Sequence, residues 1–212
     1  MVFYRIIRWI VADGSRVAYR AKIVDGNRVP KTGGFVLAPS HRSMMDIPFA
    51  AAITHRRIRF MGKASLFRVP VLGTLFGWLG GFPVARDGTD RKAVRDSVAM
   101  LEAGEVLCVY PEGTRQNGPK IQPLQPGAAY LALRAGVPIL PIGIAGSEEI
   151  LRDHKSPVPG FRQVVITVGE LIVPEARTTG VVARDKVDAL SATLSGSLQA
   201  LLDQAYEIRD AR

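Results

Sequence analysis

Phe35-Val36-Leu37-Ala38-Pro39-Ser40-His41-Arg42-Ser43-Met44-Met45-Asp46-Ile47-Pro48 is the segment from which the architecture follows. Four consecutive apolar residues, 35–38, run into Pro39, the pattern of a short buried strand that ends at a proline. Ten residues further on, Pro48 limits where a helix can start, because proline is accepted only in a helix's first turn. The helix therefore begins within about four residues before Pro48, and residues 46–54 are expected to be helical. A buried strand, a short polar loop and a helix in close succession form one βα unit. Outward from it, further strands are expected at 58–61, 80–85, 105–110, 139–144 and 164–168. Helices are expected at 90–103, closed by Gly104, at 126–135, stopped by Gly136, and at 181–206, with a weak point at Gly196. Strands that alternate with helices imply an α/β fold. We expect a single domain with a mixed, mainly parallel central sheet flanked by helices. In such sheets, sites gather in the loops beyond the carboxyl ends of the strands.

Residues 2–20 read as an amphipathic helix. Phe3, Ile6, Ile7, Ile10 and Val17 fall near one face, Trp9 and Tyr19 lie beside it, and Arg5, Arg8, Arg16 and Arg20 carry positive charge. Asp13-Gly14 weakens its middle. Two readings stay open: a helix lying among the headgroups of an anionic membrane, or a helix packed on the domain core. The expected division is residues 1–24 as this N-terminal helix and residues 25–212 as the main domain. The arginines interrupt any secretory signal. The longest uncharged stretch, 69–85, would span only about 25 Å as a helix, less than the ~30 Å hydrocarbon core of a bilayer, so no transmembrane helix is expected.

The chain has 212 residues, 47% of them hydrophobic, which supplies a sizeable core. Its formal net charge of +9 points to an anionic partner: nucleic acid, anionic lipid or a phosphorylated substrate. The basic residues lack the aromatic interleaving of a nucleic-acid surface, which argues against the first. The single cysteine, Cys108, excludes an intrachain disulfide and fits a reducing, cytoplasm-facing location. It lies in an apolar run and reads as a small buried residue. No His/Cys/Asp cluster has metal-ligand spacing, so no metal is expected.

Three loops hold the residues capable of chemistry. The first carries His41 and Asp46. On a straight helix, residues five apart lie roughly 140° apart. They meet only if His41 sits on the loop and Asp46 at the helix start. Asp46 could then accept a hydrogen bond from one imidazole nitrogen and leave the other to take a proton from a hydroxyl. The bland alternative makes Asp46 a helix cap and His41 a surface residue. The second loop, residues 80–86, combines glycines that admit close backbone approach with Arg86, whose planar fork suits phosphate. Its alternative is a glycine-rich turn with a solvated arginine. The third, Tyr110-Pro111-Glu112-Gly113-Thr114-Arg115, displays Glu112 and Arg115 at a strand end. There Arg115 could hold a phosphate oxygen, and Glu112 could fix the loop or touch a substrate hydroxyl; the alternative is a β-turn with an ion pair.

These blocks resemble a known family. His41-Arg42-Ser43-Met44-Met45-Asp46 is similar to the HxxxxD signature of PlsC-like glycerolipid acyltransferases. Residues 80–86, Glu112-Gly113-Thr114-Arg115 and Val137-Pro138-Ile139-Leu140-Pro141 resemble that family's later blocks, in order, and Gly62-Lys63-Ala64-Ser65-Leu66-Phe67 resembles its lysine-bearing segment. The resemblance covers about residues 33–146. It implies that His41 is a general base oriented by Asp46, that Lys63, Arg86 and Arg115 bind the acceptor's phosphate, and that Glu112, Gly113 and Thr114 shape the acceptor site. It implies a lysophospholipid acceptor, acyl-CoA or acyl carrier protein as thioester donor, no cofactor, and a peripheral place on the cytoplasmic face of the membrane. Pro83, Gln116 and Gln125 depart from the family's usual residues; Gln125 replaces a frequent lysine, which leaves the acceptor headgroup open. Two other classes compete: a hydrolase with Ser147 or Cys108 as nucleophile, although no G-x-S-x-G elbow is present, and a non-catalytic basic membrane-binding protein.

Overall fold

A computed structural model describes residues 6–63, 67, 73, 74, 77, 80–84, 91–151, 163–175, 177, 178 and 180–211. Strand β2, Phe35–Pro39, is buried at every residue because both faces of the sheet are covered. Phe35 and Leu37 point into one core with Phe49, Ile58, Ile142 and Ile166. Val36 and Ala38 point into the other with Leu101, Leu107, Leu131 and Leu198. This two-sided burial explains the unbroken apolar run, where a half-exposed strand would alternate. Each of these side chains larger than alanine contributes about 1.5–3 kcal/mol by leaving water.

Seven strands are paired: β1 (Lys22–Val24), β2, β3 (Ile58–Lys63), β4 (Gly81–Val84), β5 (Val106–Cys108), β6 (Ile139–Ala145) and β7 (Val165–Val168), in the order β1-β7-β6-β2-β5-β3-β4. All neighbours are parallel except β6 and β7. The carboxyl ends of β2 to β6 therefore lie along one edge, and the loops leaving that edge carry the candidate residues. The sheet is mixed and mainly parallel, as expected. Strand β1 has only three residues and one buried neighbour strand, so its pattern is too short to stand out. It puts the start of the sheet at Lys22, inside the stretch assigned above to the N-terminal unit.

The helices divide between the faces. A helical stretch over residues 6–18, α1, and helix α2, Asp46–Ala52, pack on one side; α3 (Arg91–Glu102), α4 (Gly127–Ala135) and α5 (Arg184–Asp210) pack on the other. Within α1, Trp9–Asp13 forms a π-helical turn in which Gly14 N–H donates to Trp9 O. The wider turn lets Arg8 reach Asp13, five residues on, at 2.9 Å. Arg8 also donates to Ala51 O and Thr54 O at the end of α2. Arg8, Ala12 and Tyr19 are buried against the domain, whereas Ile6, Trp9, Ile10 and Val17 are exposed. The inner side is packed on the domain core, and the outer side is apolar and exposed. Among the described residues no helix is long and apolar enough to cross a membrane.

Helix α5 crosses the sheet at Gly143, where an added Cβ would lie 2.5 Å from the backbone of Leu201. Only glycine permits that approach, and Thr167 Oγ1 donates to Leu201 O at 2.8 Å beside it. The helix runs unbroken through Gly196, contrary to the expected weak point, because packing on both sides of that residue outweighs its low propensity. Gly196 itself is exposed, with open space where a Cβ would stand. Gly196→Ala is therefore expected to stabilise the protein by about 0.5–1 kcal/mol, read as a rise in Tm of about 1–4 °C by calorimetry.

Candidate active site

The loop from β2 to α2 folds around the carboxylate of Asp46. Asp46 is the first residue of α2, and its side chain turns back into the loop instead of capping the helix. Oδ2 accepts the backbone N–H of Arg42 at 2.6 Å and of Ser43 at 2.8 Å, and lies 2.9 Å from His41 Nδ1. Oδ1 accepts the hydroxyl of Ser147, which enters from the loop after β6. Asp46 is fully buried, whereas 13% of the His41 side chain is exposed, so the imidazole is the reachable end of the pair. An ionised carboxylate only accepts, so in the neutral ring Nδ1 carries the proton and Nε2 keeps the free lone pair. Among the described residues Nε2 has no hydrogen-bond partner. The arrangement can take a proton at Nε2 and hold the resulting imidazolium against Asp46.

The third loop grips His41 by its main chain. Tyr110 to Gly113 form a β-turn, with Gly113 N–H donating to Tyr110 O at 3.0 Å and Gly113 at φ +74°. The turn drives Glu112 inward. Its carboxylate accepts His41 N–H at 3.0 Å, Gln122 N–H at 3.0 Å, and Arg42 Nη1 at 2.8 and 3.0 Å. Gln116 N–H donates to His41 O at 2.8 Å, so both backbone polar groups of His41 are held from this one loop. The Arg42 and Glu112 side chains are completely buried. Such a pair is stable only when its remaining valences are met; Arg42 Nη2 finds Lys120 O at 3.0 Å, while Arg42 Nε has no partner among the described residues. Of the two roles open to Glu112, it fixes the loop. Its carboxylate oxygens are taken up by His41 N–H, Gln122 N–H and Arg42.

The remaining expected residues are placed as follows. Thr114 and Arg115 are exposed just beyond the turn. Lys63 is the last residue of β3, at the same sheet edge. Arg86 lies outside the described residues, two positions after β4 ends at Val84. Tyr110 stacks beneath His41 with ring centroids 4.0 Å apart. Its phenol oxygen is buried beside the Cys108 thiol, without a partner at hydrogen-bonding geometry among the described residues. Burial pushes both Tyr110 and Cys108 up from their ordinary values. A thiolate is therefore disfavoured at Cys108, and the Ser147 hydroxyl is committed to Asp46 on the side away from His41. Neither is placed as a nucleophile for His41, and the hydrolase reading falls with them. Among the described residues no group of three or more His, Cys, Asp or Glu side chains could hold a metal ion.

Arg42, Tyr110 and Ser147 were not singled out for these roles by spacing. Arg42 carried one available signal: an arginine beside a histidine in a loop between buried elements must either reach solvent or find an internal carboxylate. Ser147 carried none, since its partner is 101 residues away.

The acyltransferase family profile matches residues 20–145. The chain belongs to this acyltransferase family. It is 28% identical over 126 residues, 59% of its length, to the 1-acyl-sn-glycerol-3-phosphate acyltransferase of Bacillus subtilis, of which it covers 62%. It is 28% identical over 134 residues, 63% of its length, to the lyso-ornithine lipid O-acyltransferase of Pseudomonas aeruginosa, of which it covers 51%. The chain thus spans about half to three-fifths of the length of these relatives. The crystal structure of the 1-acyl-sn-glycerophosphate acyltransferase PlsC from Thermotoga maritima matches with a TM-score of 0.72 at 20% identity, covering 93% of this chain and 79% of that one, and shares its fold.

Two outcomes test this geometry. Glu112→Ala leaves Arg42 buried without a counter-charge and is expected to cost about 3–5 kcal/mol in chemical denaturation; adding Arg42→Met should recover part of that loss. Cys108 in the native protein should fail to react with a thiol reagent at pH 8 and should react fully once unfolded in guanidinium chloride.

Proposed function

We propose that this chain transfers a fatty acyl group from an acyl thioester to the sn-2 hydroxyl of 1-acylglycerol 3-phosphate, which makes phosphatidic acid. The observation that carries the reading is His41 held by Asp46 through Nδ1 with Nε2 left open. That is half of a catalytic triad, and the nucleophile comes from the substrate. The acceptor hydroxyl gives its proton to Nε2 as its oxygen attacks the thioester carbonyl. The tetrahedral adduct then collapses, the carbon–sulfur bond breaks, and the imidazolium returns the proton to the departing thiolate. Asp46 stays ionised throughout and stabilises the imidazolium. Glu112 and Gln116 hold the ring's backbone in place, which saves reorganisation at the moment of reaction.

Arg115 on the third loop, Lys63 at the end of β3 and Arg86 after β4 are the proposed phosphate ligands, with Gly113 and Thr114 at the mouth of the acceptor site. The donor is acyl-CoA or acyl carrier protein, and no cofactor takes part. The protein works at the cytoplasmic face of an anionic membrane. Support for that placement comes from the exposed Ile6, Trp9, Ile10 and Val17 on α1 and the net charge of +9. A second acceptor class, another lysolipid headgroup, is favoured by the similarity to the lyso-ornithine lipid enzyme, which is as close as the similarity to the phosphate-headgroup enzyme.

Lipid-product analysis with one long-chain acyl-CoA and a panel of lysolipids decides between these acceptors, with phosphatidic acid the expected product. On the preferred acceptor, His41→Ala should lower kcat by about 10²–10⁴-fold with an unchanged circular dichroism spectrum. More than half of the activity retained would remove His41 from the chemistry.

A further inference from the structure

The Ser147 hydroxyl is in contact with the candidate pair, and the reaction above does not use it. It is completely buried. Among the described residues its Oγ–H supplies the only donor that reaches Asp46 Oδ1, whereas Oδ2 has three. Without Ser147, one oxygen of a carboxylate sealed from water would have no partner, a costly state.

The backbone around Ser147 is built to hold it there. Gly146 has φ +91°, and a Cβ there would lie 2.5 Å from Gln163 O. A single 3₁₀ turn, Ser147–Glu149, follows. Glu148 is fixed by Gly146 N–H at 3.0 Å, by the Tyr206 hydroxyl at 2.9 Å and by Arg209 at 3.3 Å, and Arg209 also reaches Glu149 at 3.3 Å. The end of α5 thereby clamps the turn that presents Ser147 to Asp46.

We propose that Ser147 is a positioning residue, whose hydroxyl fixes the plane of the Asp46 carboxylate and draws off part of its charge so that Oδ2 meets His41 Nδ1 in the required alignment. Its importance for turnover rests on His41 acting as the base, but its effect on the pair does not. Among the described residues, the other titratable and charged groups packed around the pair are Arg42 and Glu112, closed on each other, Tyr110 beneath the ring, and Cys108 beside Tyr110. None of them reaches Oδ1.

The test reads the His41 Nδ1–H proton resonance and the His41 titration by NMR in the full chain, as wild type, Ser147→Ala and Ser147→Thr, with His55 and His154 assigned by substitution. In Ser147→Ala the carboxylate holds its whole charge toward the ring. The Nδ1–H resonance should move, and the His41 titration should shift to higher pH. Ser147→Thr, which keeps the hydroxyl, should restore both. In turnover, Ser147→Ala should lose about tenfold in kcat with acceptor KM unchanged. If Ser147→Ala does not fold, Ser147→Cys, with its weaker donor, is read the same way. A folded variant whose Nδ1–H resonance and titration match the wild type would overturn the proposal, as would Ser147→Thr behaving like Ser147→Ala. Because the NMR readout needs no substrate, a wild-type protein inactive on every lysolipid would refute the proposed reaction and still leave this inference decided.

Discussion

A carboxylate cut off from water must have its lone pairs met by the protein, and at Asp46 that requirement organises the whole site. Its four donors come from two places: three from the loop between β2 and α2, and one from the turn after β6. The two amides of Arg42 and Ser43 can converge on Oδ2 only if the loop wraps tightly back over the start of α2. That wrapping brings His41, five residues earlier in sequence, level with the carboxylate. The separation that forbids contact on a straight helix becomes a close pair because the intervening chain is not helical.

A second sealed carboxylate, Glu112, acts on the same loop from the other side. It binds His41 through the main chain and Arg42 through the side chain. The imidazole is therefore restrained at Nδ1, at its own N–H and at its own carbonyl, with Tyr110 beneath its face. Buried ion pairs such as Arg42–Glu112 add little net stability relative to apolar packing. The value of this one is geometric: it fixes the rotational setting of a residue whose free nitrogen must point outward. Among the described residues Arg42 Nε has no partner, the cost of placing a five-donor group where only part of its fork is matched.

The central strands were legible in the sequence because two-sided burial writes itself as uninterrupted apolar runs, and 35–38, 106–108 and 139–144 all carry that mark. Pro48 located the start of α2, and with it the geometry of His41 and Asp46. Strand β1 escaped notice because three residues cannot display a period. The π-helical turn in α1 was equally hidden: it depends on Arg8 finding Asp13 and the end of α2 together. Glu112 was visible as a motif residue, but its direction was not. Whether a carboxylate in a turn faces solvent or the interior is settled by what waits inside, here Arg42. Ser147 was unreadable as part of the site because nothing local distinguishes a serine that caps a distant aspartate from one that merely starts a turn. The apolar exterior of α1 could be seen as a pattern, yet only docking of its inner side through Arg8, Ala12 and Tyr19 separates the two faces.

The sequence separations inside the site set a timetable for its assembly during synthesis. His41 and Asp46 emerge together, Glu112 follows 71 residues after His41, and Ser147 follows 101 residues after Asp46. At translation rates of about 5–20 residues per second, the last donor reaches Asp46 about 5–20 s after Asp46 itself is made. Strand β6 must also pair with β2 before its following turn can point toward Asp46. An unfinished chain carries both residues of the pair while its carboxylate is still hydrated and its imidazole unaligned. Competence thus arrives late, when the turn after β6 closes over the loop after β2.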